Sequence, residues 1–186
     1  MKMTIKRKWP LYIAAAVVAA YGLAWFTGYS VAVNPSVSMP RGLYVLAPVE
    51  APQRGDVVSA CISNLEAAKV YRERNYIGPS ERCAAGLPPV MKPVAAVPGD
   101  VVELTAMGVW VNGQLMPKSR VFDTDSNGRP IDHLPLGWKK TLAPGEFFIL
   151  ANYIERSLDS RYYGPVQRSD IHGRVRPIYT IEGAKG

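Results

Sequence analysis

Apolar and polar positions divide this 186-residue chain into two unlike parts. Residues 11–33, LYIAAAVVAAYGLAWFTGYSVAV, run without a charge, and about 20 apolar residues are enough to cross a bilayer as a helix. The pattern predicts a single transmembrane anchor over 11–33. A cleavable signal peptide is the competing reading, but its apolar core is usually ~7–15 residues long. Beyond Val33 the pattern changes to short apolar or β-branched runs punctuated by Gly and Pro, at 42–47, 57–62, 90–97, 101–105, 147–151 and 175–181. Each has strand length, so residues 34–186 are predicted to form one mainly β domain. The sharpest local signal is Asn112-Gly113 between Val109-Trp110-Val111 and Gln114-Leu115-Met116, a pair suited to the positive φ angles of a type I′ hairpin turn. Two segments break the pattern. Residues 64–74, NLEAAKVYRER, suit a helix and open an excursion that runs to Pro89, and the polar stretch 122–140 predicts a long surface loop, a kind of segment that often carries function.

Composition and charge sharpen this division. Sixteen Gly and sixteen Pro fit a domain of turns and strands. Of the net charge of +7, four units come from Lys2, Lys6, Arg7 and Lys8. By the positive-inside rule this cluster predicts a cytoplasmic basic segment over 1–10, with everything after Val33 outside. No basic helix, zinc-knuckle spacing or Arg/Lys stripe with interleaved aromatics occurs, so nucleic acid is not an expected partner. Cys61 and Cys83 both fall on the outer side, where an oxidising compartment favours a disulfide; two unpaired thiols are the other reading. No His, Asp or third Cys sits at ligand spacing beside them, and neither a metal nor a cofactor is expected. Asp123, Asp125 and Asn127 resemble part of a calcium loop, yet its glycine is shifted to Gly128 and no Glu follows at the required distance. His133 and His172 are the only histidines. Neither lies beside a serine or cysteine in an elbow motif, which leaves a Ser-His-Asp triad without support.

Candidate chemistry begins just past the apolar run, at Pro35-Ser36-Val37-Ser38-Met39-Pro40-Arg41-Gly42-Leu43-Tyr44. A serine needs an adjacent base to become a nucleophile, and a neutral lysine serves when apolar surroundings lower its pKa. Lys92 is such a lysine. It sits among Val90, Met91, Val94, Ala95, Ala96 and Val97, where a charge is expensive unless paired or neutral. Read alone, it is equally a strand-edge lysine whose ammonium reaches water.

Four blocks taken together resemble the signal peptidase I family of membrane-bound Ser/Lys endopeptidases. They are Ser38-Met39-Pro40 after the anchor, Arg54-Gly55-Asp56-Val57-Val58, Lys92 through Pro98-Gly99-Asp100, and Ser157-Leu158-Asp159-Ser160-Arg161-Tyr162-Tyr163-Gly164, all in the family's order. The resemblance implies an antiparallel, signal-peptidase-like β domain behind a single N-terminal transmembrane helix. It implies catalytic roles for Ser38 as nucleophile, Lys92 as base and Asp159, the last by analogy with conjugative-transfer members. Supporting roles fall to Ser36, whose hydroxyl would join the Ser38 N–H in an oxyanion hole, to Ser157, which would orient the lysine amine, and to Arg161, the partner of Asp159.

Residues 151–156, ANYIER, depart from the G-D-N-R of housekeeping leader peptidases, while S-M-P-R-G-L-Y looks like the TraF-type peptidases of conjugative plasmids. That likeness implies a protein substrate, the pilin precursor, processed in the periplasm at the inner membrane alongside proteins of the transfer apparatus. Cyclisation of the pilin would follow if an amine resolved the acyl-enzyme. The alternative readings are a general secretory signal peptidase acting on preproteins and a non-catalytic anchored component of a secretion channel. A LexA-like self-cleaving regulator shares the Ser/Lys arrangement, but its N-terminus carries a DNA-binding unit where this chain has an apolar run.

Overall fold

The computed structural model describes residues 8–181. Helix α1 (Trp9–Thr27) is built from the Ala/Val/Leu-rich part of the uncharged run. It stops at Thr27 because Gly28 adopts φ +72° and the Tyr29 N–H reaches back 2.9 Å to the Ala24 carbonyl, the closure that a glycine just past a helix end permits. The chain then enters β1 (Ser30–Asn34). The predicted 11–33 span is therefore not one helix: Val31 and Val33 are strand residues, paired with Val45 and Leu43. Among the described residues no helix is long and apolar enough to cross a membrane. Lys2, Lys6 and Arg7 of the predicted basic segment lie outside the described residues.

The remaining strands are β2 (Arg41–Ala47), β3 (Val57–Ala60), β4 (Val90–Ala96), β5 (Val101–Thr105), β6 (Gly108–Val111), β7 (Gln114–Leu115), β8 (Lys139–Thr141), β9 (Glu146–Ile149), β10 (Val166–Gln167) and β11 (Ile171–Ile181). They make a seven-stranded sheet in the order β1-β2-β11-β3-β4-β9-β10 and a four-stranded sheet in the order β7-β6-β5-β8. Every strand pairing is antiparallel. The domain is mainly β, as the pattern predicts, and the β6–β7 hairpin turns at Asn112 (φ 50°) and Gly113 (φ 79°).

Alternation along β9, and along β4 a register shift between Val94 and Ala96, join two cores. Val94 and Ile149 pack into one with Val58, Ile62, Leu87 and Tyr162. Ala96 and Phe148 pack into the other with Val102, Leu104, Val109 and Leu142. Between the sheets Arg54 Nε donates to Asp100 Oδ2 at 2.6 Å, and Asn112 Nδ2 donates to Asp100 Oδ1 at 2.9 Å. The bond from Arg54 is the main cause of an Asp100 pKa lowered to about 2. Two sequence blocks and the hairpin are thus tied at one carboxylate.

The excursion begins with α2 (Leu65–Glu73), capped where the Asn64 side chain accepts from the Ala67 N–H. Tyr71 and Ala68 of α2 enter the first core. Cys61 and Cys83 are bonded, so the excursion is closed at its base. The loop over 122–138 is folded around Asp125, which accepts from the backbone N–H groups of Asn127 and Arg129, from Arg129 Nε and from the Tyr76 hydroxyl. Those bonds use the carboxylate that a calcium loop would need for the ion.

Candidate active site

The serine turn between β1 and β2 is assembled by a residue that sequence reasoning missed. Asn34, buried at the end of β1, accepts from the Ser36 N–H through Oδ1. Its Nδ2 donates to the carbonyls of Ser36, Met39 and Pro40. The Tyr44 hydroxyl from β2 also donates to the Pro40 carbonyl, at 2.6 Å. Met39 packs with Tyr44 and Val175 beneath the turn. The turn is held from both sides, and Ser38 is left 7% exposed. Only the asparagine following an apolar alternation could have hinted at this, and many turns carry one.

Lys92 comes from β4, where it lies opposite Val58 of β3. Its Nζ is 2.8 Å from Ser38 Oγ and donates to the Met91 carbonyl at 3.1 Å. The 2.8 Å contact serves either protonation state, since an ammonium donates to the hydroxyl oxygen and a neutral amine accepts from the hydroxyl. Burial, the largest cause, lowers the Lys92 pKa from 10.5 to about 8; Asp159 pulls it upward and Arg161 downward. The two opposite charges offset one another, and loss of water decides the direction. Ser36 Oγ lies 2.9 Å from Ser38 Oγ and accepts from the Ser38 N–H at 3.2 Å.

Asp159 and Arg161 stand at the start of α3 (Ser160–Tyr163) and are both fully buried. Their pairing is bidentate, with Arg161 Nε 2.7 Å from Oδ1 and Nη2 2.8 Å from Oδ2. Asp159 also accepts from the Ala151 N–H, and Arg161 donates to the carbonyls of Arg120, Glu155 and Ser157. These bonds fasten the 155–157 segment beside the dyad, and none reaches Lys92 or Ser38. Ser157 Oγ is buried without a hydrogen-bond partner among the described residues. It does not hold the lysine amine, a task taken here by the Met91 carbonyl.

Of the two histidines, His133 bonds Asp123 and the Leu134 carbonyl, and His172 lies 3.1 Å from Cys61 Sγ. Neither meets a serine hydroxyl. His172 makes a three-membered cluster with Cys61 and Cys83, a grouping invisible in the sequence. The sulfurs bond each other rather than standing as thiolates.

Ser36, Ser38 and Lys92 open into a cleft of about 710 Å³, whose lining also includes the excursion at Tyr76, Ile77 and Gly78. A recess of about 230 Å³ adjoins it and shares Tyr76, Arg156, Ser157 and Leu158 with it. The arrangement offers a hydroxyl against a buried amine of lowered pKa, on the lining of an open cleft.

Residues 5–180 match the family described as signal peptidase, peptidase S26. The chain is similar to the plasmid transfer protein TraF of Escherichia coli, 36% identical over 170 residues that cover 90% of this chain and 90% of that protein. It is also similar to the probable conjugal transfer protein TraF of Sinorhizobium fredii (strain NBRC 101917 / NGR234), 32% identical over 166 residues covering 89% and 84%. The conjugal transfer protein TraF of Agrobacterium tumefaciens (strain 15955) is 33% identical over 169 residues, covering 90% and 92%. A crystal structure of a signal peptidase I from Enterococcus faecalis V583 aligns with a TM-score of 0.38 at 19% identity, over 69% of this chain and 99% of that one.

Proposed function

Because the chain belongs to the signal peptidase family, peptidase S26, we propose that it is a membrane-held serine endopeptidase that matures a pilin precursor for a conjugative transfer apparatus. The observation that carries this reading is the 2.8 Å contact between Ser38 Oγ and Lys92 Nζ, with the amine buried and its pKa lowered to about 8. An amine near that value is partly neutral at working pH and can take the serine proton. Ser38 Oγ attacks the scissile carbonyl as its proton passes to Lys92 Nζ. Collapse of the tetrahedral intermediate breaks the C–N bond, and the lysine proton goes to the leaving amine. Water then resolves the acyl-enzyme to a new carboxylate. An incoming amine in place of water would instead close the chain into a ring.

The Ser38 N–H and the Ser36 hydroxyl serve as oxyanion donors once the carbonyl oxygen replaces their present partners, Ser36 Oγ and Ser38 Oγ, a form of stabilisation that acts where charge develops. Asp159 and Arg161 fix the 155–157 wall and, being neutral as a pair, leave the lysine pKa to burial. The conjugative setting is supported by relatives that are named as transfer proteins. A periplasmic site at the inner membrane is supported by the bonded Cys61 and Cys83. It is also supported by α1, whose Leu11, Ile13, Val17, Val18, Leu23 and Phe26 are exposed around its circumference; a helix apolar on every side needs apolar surroundings.

The test is cleavage of the pilin precursor of the same transfer system, beside a generic secretory preprotein, by the wild type and by Ser38→Ala. The expected result is pilin cleavage by the wild type alone, with Ser38→Ala melting at the same temperature. Cleavage retained in Ser38→Ala would overturn the reading, and equal cleavage of both substrates would move it to general secretion.

A further inference from the structure

The charge of the cleft is one-sided. Its lining includes Arg41, Arg82 and Arg156 besides Lys92 and, among the described residues, contains no Asp or Glu. Among the described residues none of the three arginines makes an ion pair, although Arg54, Arg129, Arg161 and Arg174 all do. Arg156 is the one held in place. Its guanidinium lies 4.0 Å over the Phe122 ring, and Nη1 donates to the Thr124 carbonyl at 3.0 Å. That leaves its other N–H donors without a partner among the described residues, at the border between the cleft and the adjoining recess. The recess does contain a carboxylate, Asp125, but Arg129, Tyr76 and two backbone N–H groups already engage it. Arg82 stands next to Cys83, whose bond to Cys61 closes the excursion. A planar guanidinium matched to carboxylate geometry, stacked so that little freedom is lost on binding, is a recognition device rather than a solubilising charge.

We propose that Arg156, assisted by Arg82, selects substrates carrying a carboxylate in the segment that fills this cleft. The proposal rests on the peptidase reading and adds a specificity determinant to it. The carboxylate comes from an acidic side chain or from the C-terminus of the bound peptide. Arg156 is exposed in the free protein, so water weakens the attraction until a bound peptide covers it.

The probes are decapeptides of Ala and Gly with one Glu placed at each position in turn, their Gln twins, and both sets as free acids and as C-terminal amides. Cleavage by the full chain is followed by mass spectrometry, and binding to full-chain Ser38→Ala by calorimetry, so that a peptide bound but uncut still reports. At one position Glu is expected to exceed Gln by about tenfold in kcat/KM or affinity, a difference typical of one charge-assisted pair. Arg156→Gln is expected to reduce that ratio to near one at unchanged melting temperature, and Arg156→Lys to restore part of it. Preference for free acid over amide with indifference to Glu would identify the C-terminal carboxylate as the source. Equal behaviour of all twins in both readouts would overturn the proposal. Discrimination in binding with neither peptides nor precursor cleaved would instead overturn the peptidase reading and leave the carboxylate site standing.

Discussion

Burial of Lys92 has a consequence for stability as well as for reactivity. In the unfolded chain its amine titrates near 10.5, and in the folded chain near 8. Below about pH 8 both states are protonated and the folded state carries the full cost of a buried charge, about 3 kcal/mol for a shift of this size. Between 8 and 10.5 the folded state binds fewer protons than the unfolded one, so stability rises with pH and the cost disappears. Lys92→Met, inactive on the proposed mechanism, is therefore expected to be more stable than the wild type by about 3 kcal/mol at neutral pH. The gain should shrink toward zero near pH 11. Urea denaturation of both proteins across that range measures it, and a gain that does not change with pH would contradict burial as the cause. At this scale the sequence was only partly legible. Ser38 and Lys92 are 54 positions apart, and no local pattern joins them; only the order of four family blocks did. Asn34 and the Met91 carbonyl escaped because a turn-organising amide is common and a backbone acceptor has no residue-type signature.

Strands were the most readable elements, because alternation and turn chemistry are local. The hairpin at Asn112-Gly113 needs positive φ at both residues, which their side chains tolerate. The end of the N-terminal helix was less readable, since Gly28 stops it while the uncharged run continues into β1. The excursion is the element on which the cleft most depends. It reaches from α2 to Pro89, lines one wall and is closed by the bond between Cys61 and Cys83. A crosslink closing a loop 22 residues long stabilises by about 3 kcal/mol on chain-entropy grounds. Reduction with dithiothreitol is expected to lower the melting temperature and to raise KM more than it lowers kcat, because the wall binds substrate while the dyad lies on β4 and the serine turn. An unchanged KM after verified reduction would show that the excursion takes no part in binding.

At the scale of the whole molecule, the two sheets meet at β4 and β9, and the strand that joins the cores is the one that carries Lys92. The base thus sits on a strand packed into both cores. An apolar α1 leads directly into β1 and the serine turn, so a membrane holding α1 would keep the cleft close to its surface. The full chain is expected to sediment with membranes; recovery in the soluble fraction would show that α1 does not hold it there. The central claim, that Lys92 is the base for Ser38, is tested most directly by the pH dependence of kcat/KM on a cleaved substrate, which reports the free enzyme's essential groups. With Lys92 as base the rate rises roughly tenfold per pH unit below about pH 8 and reaches a plateau above it; a flat profile from about pH 6 to about pH 9 would contradict that role.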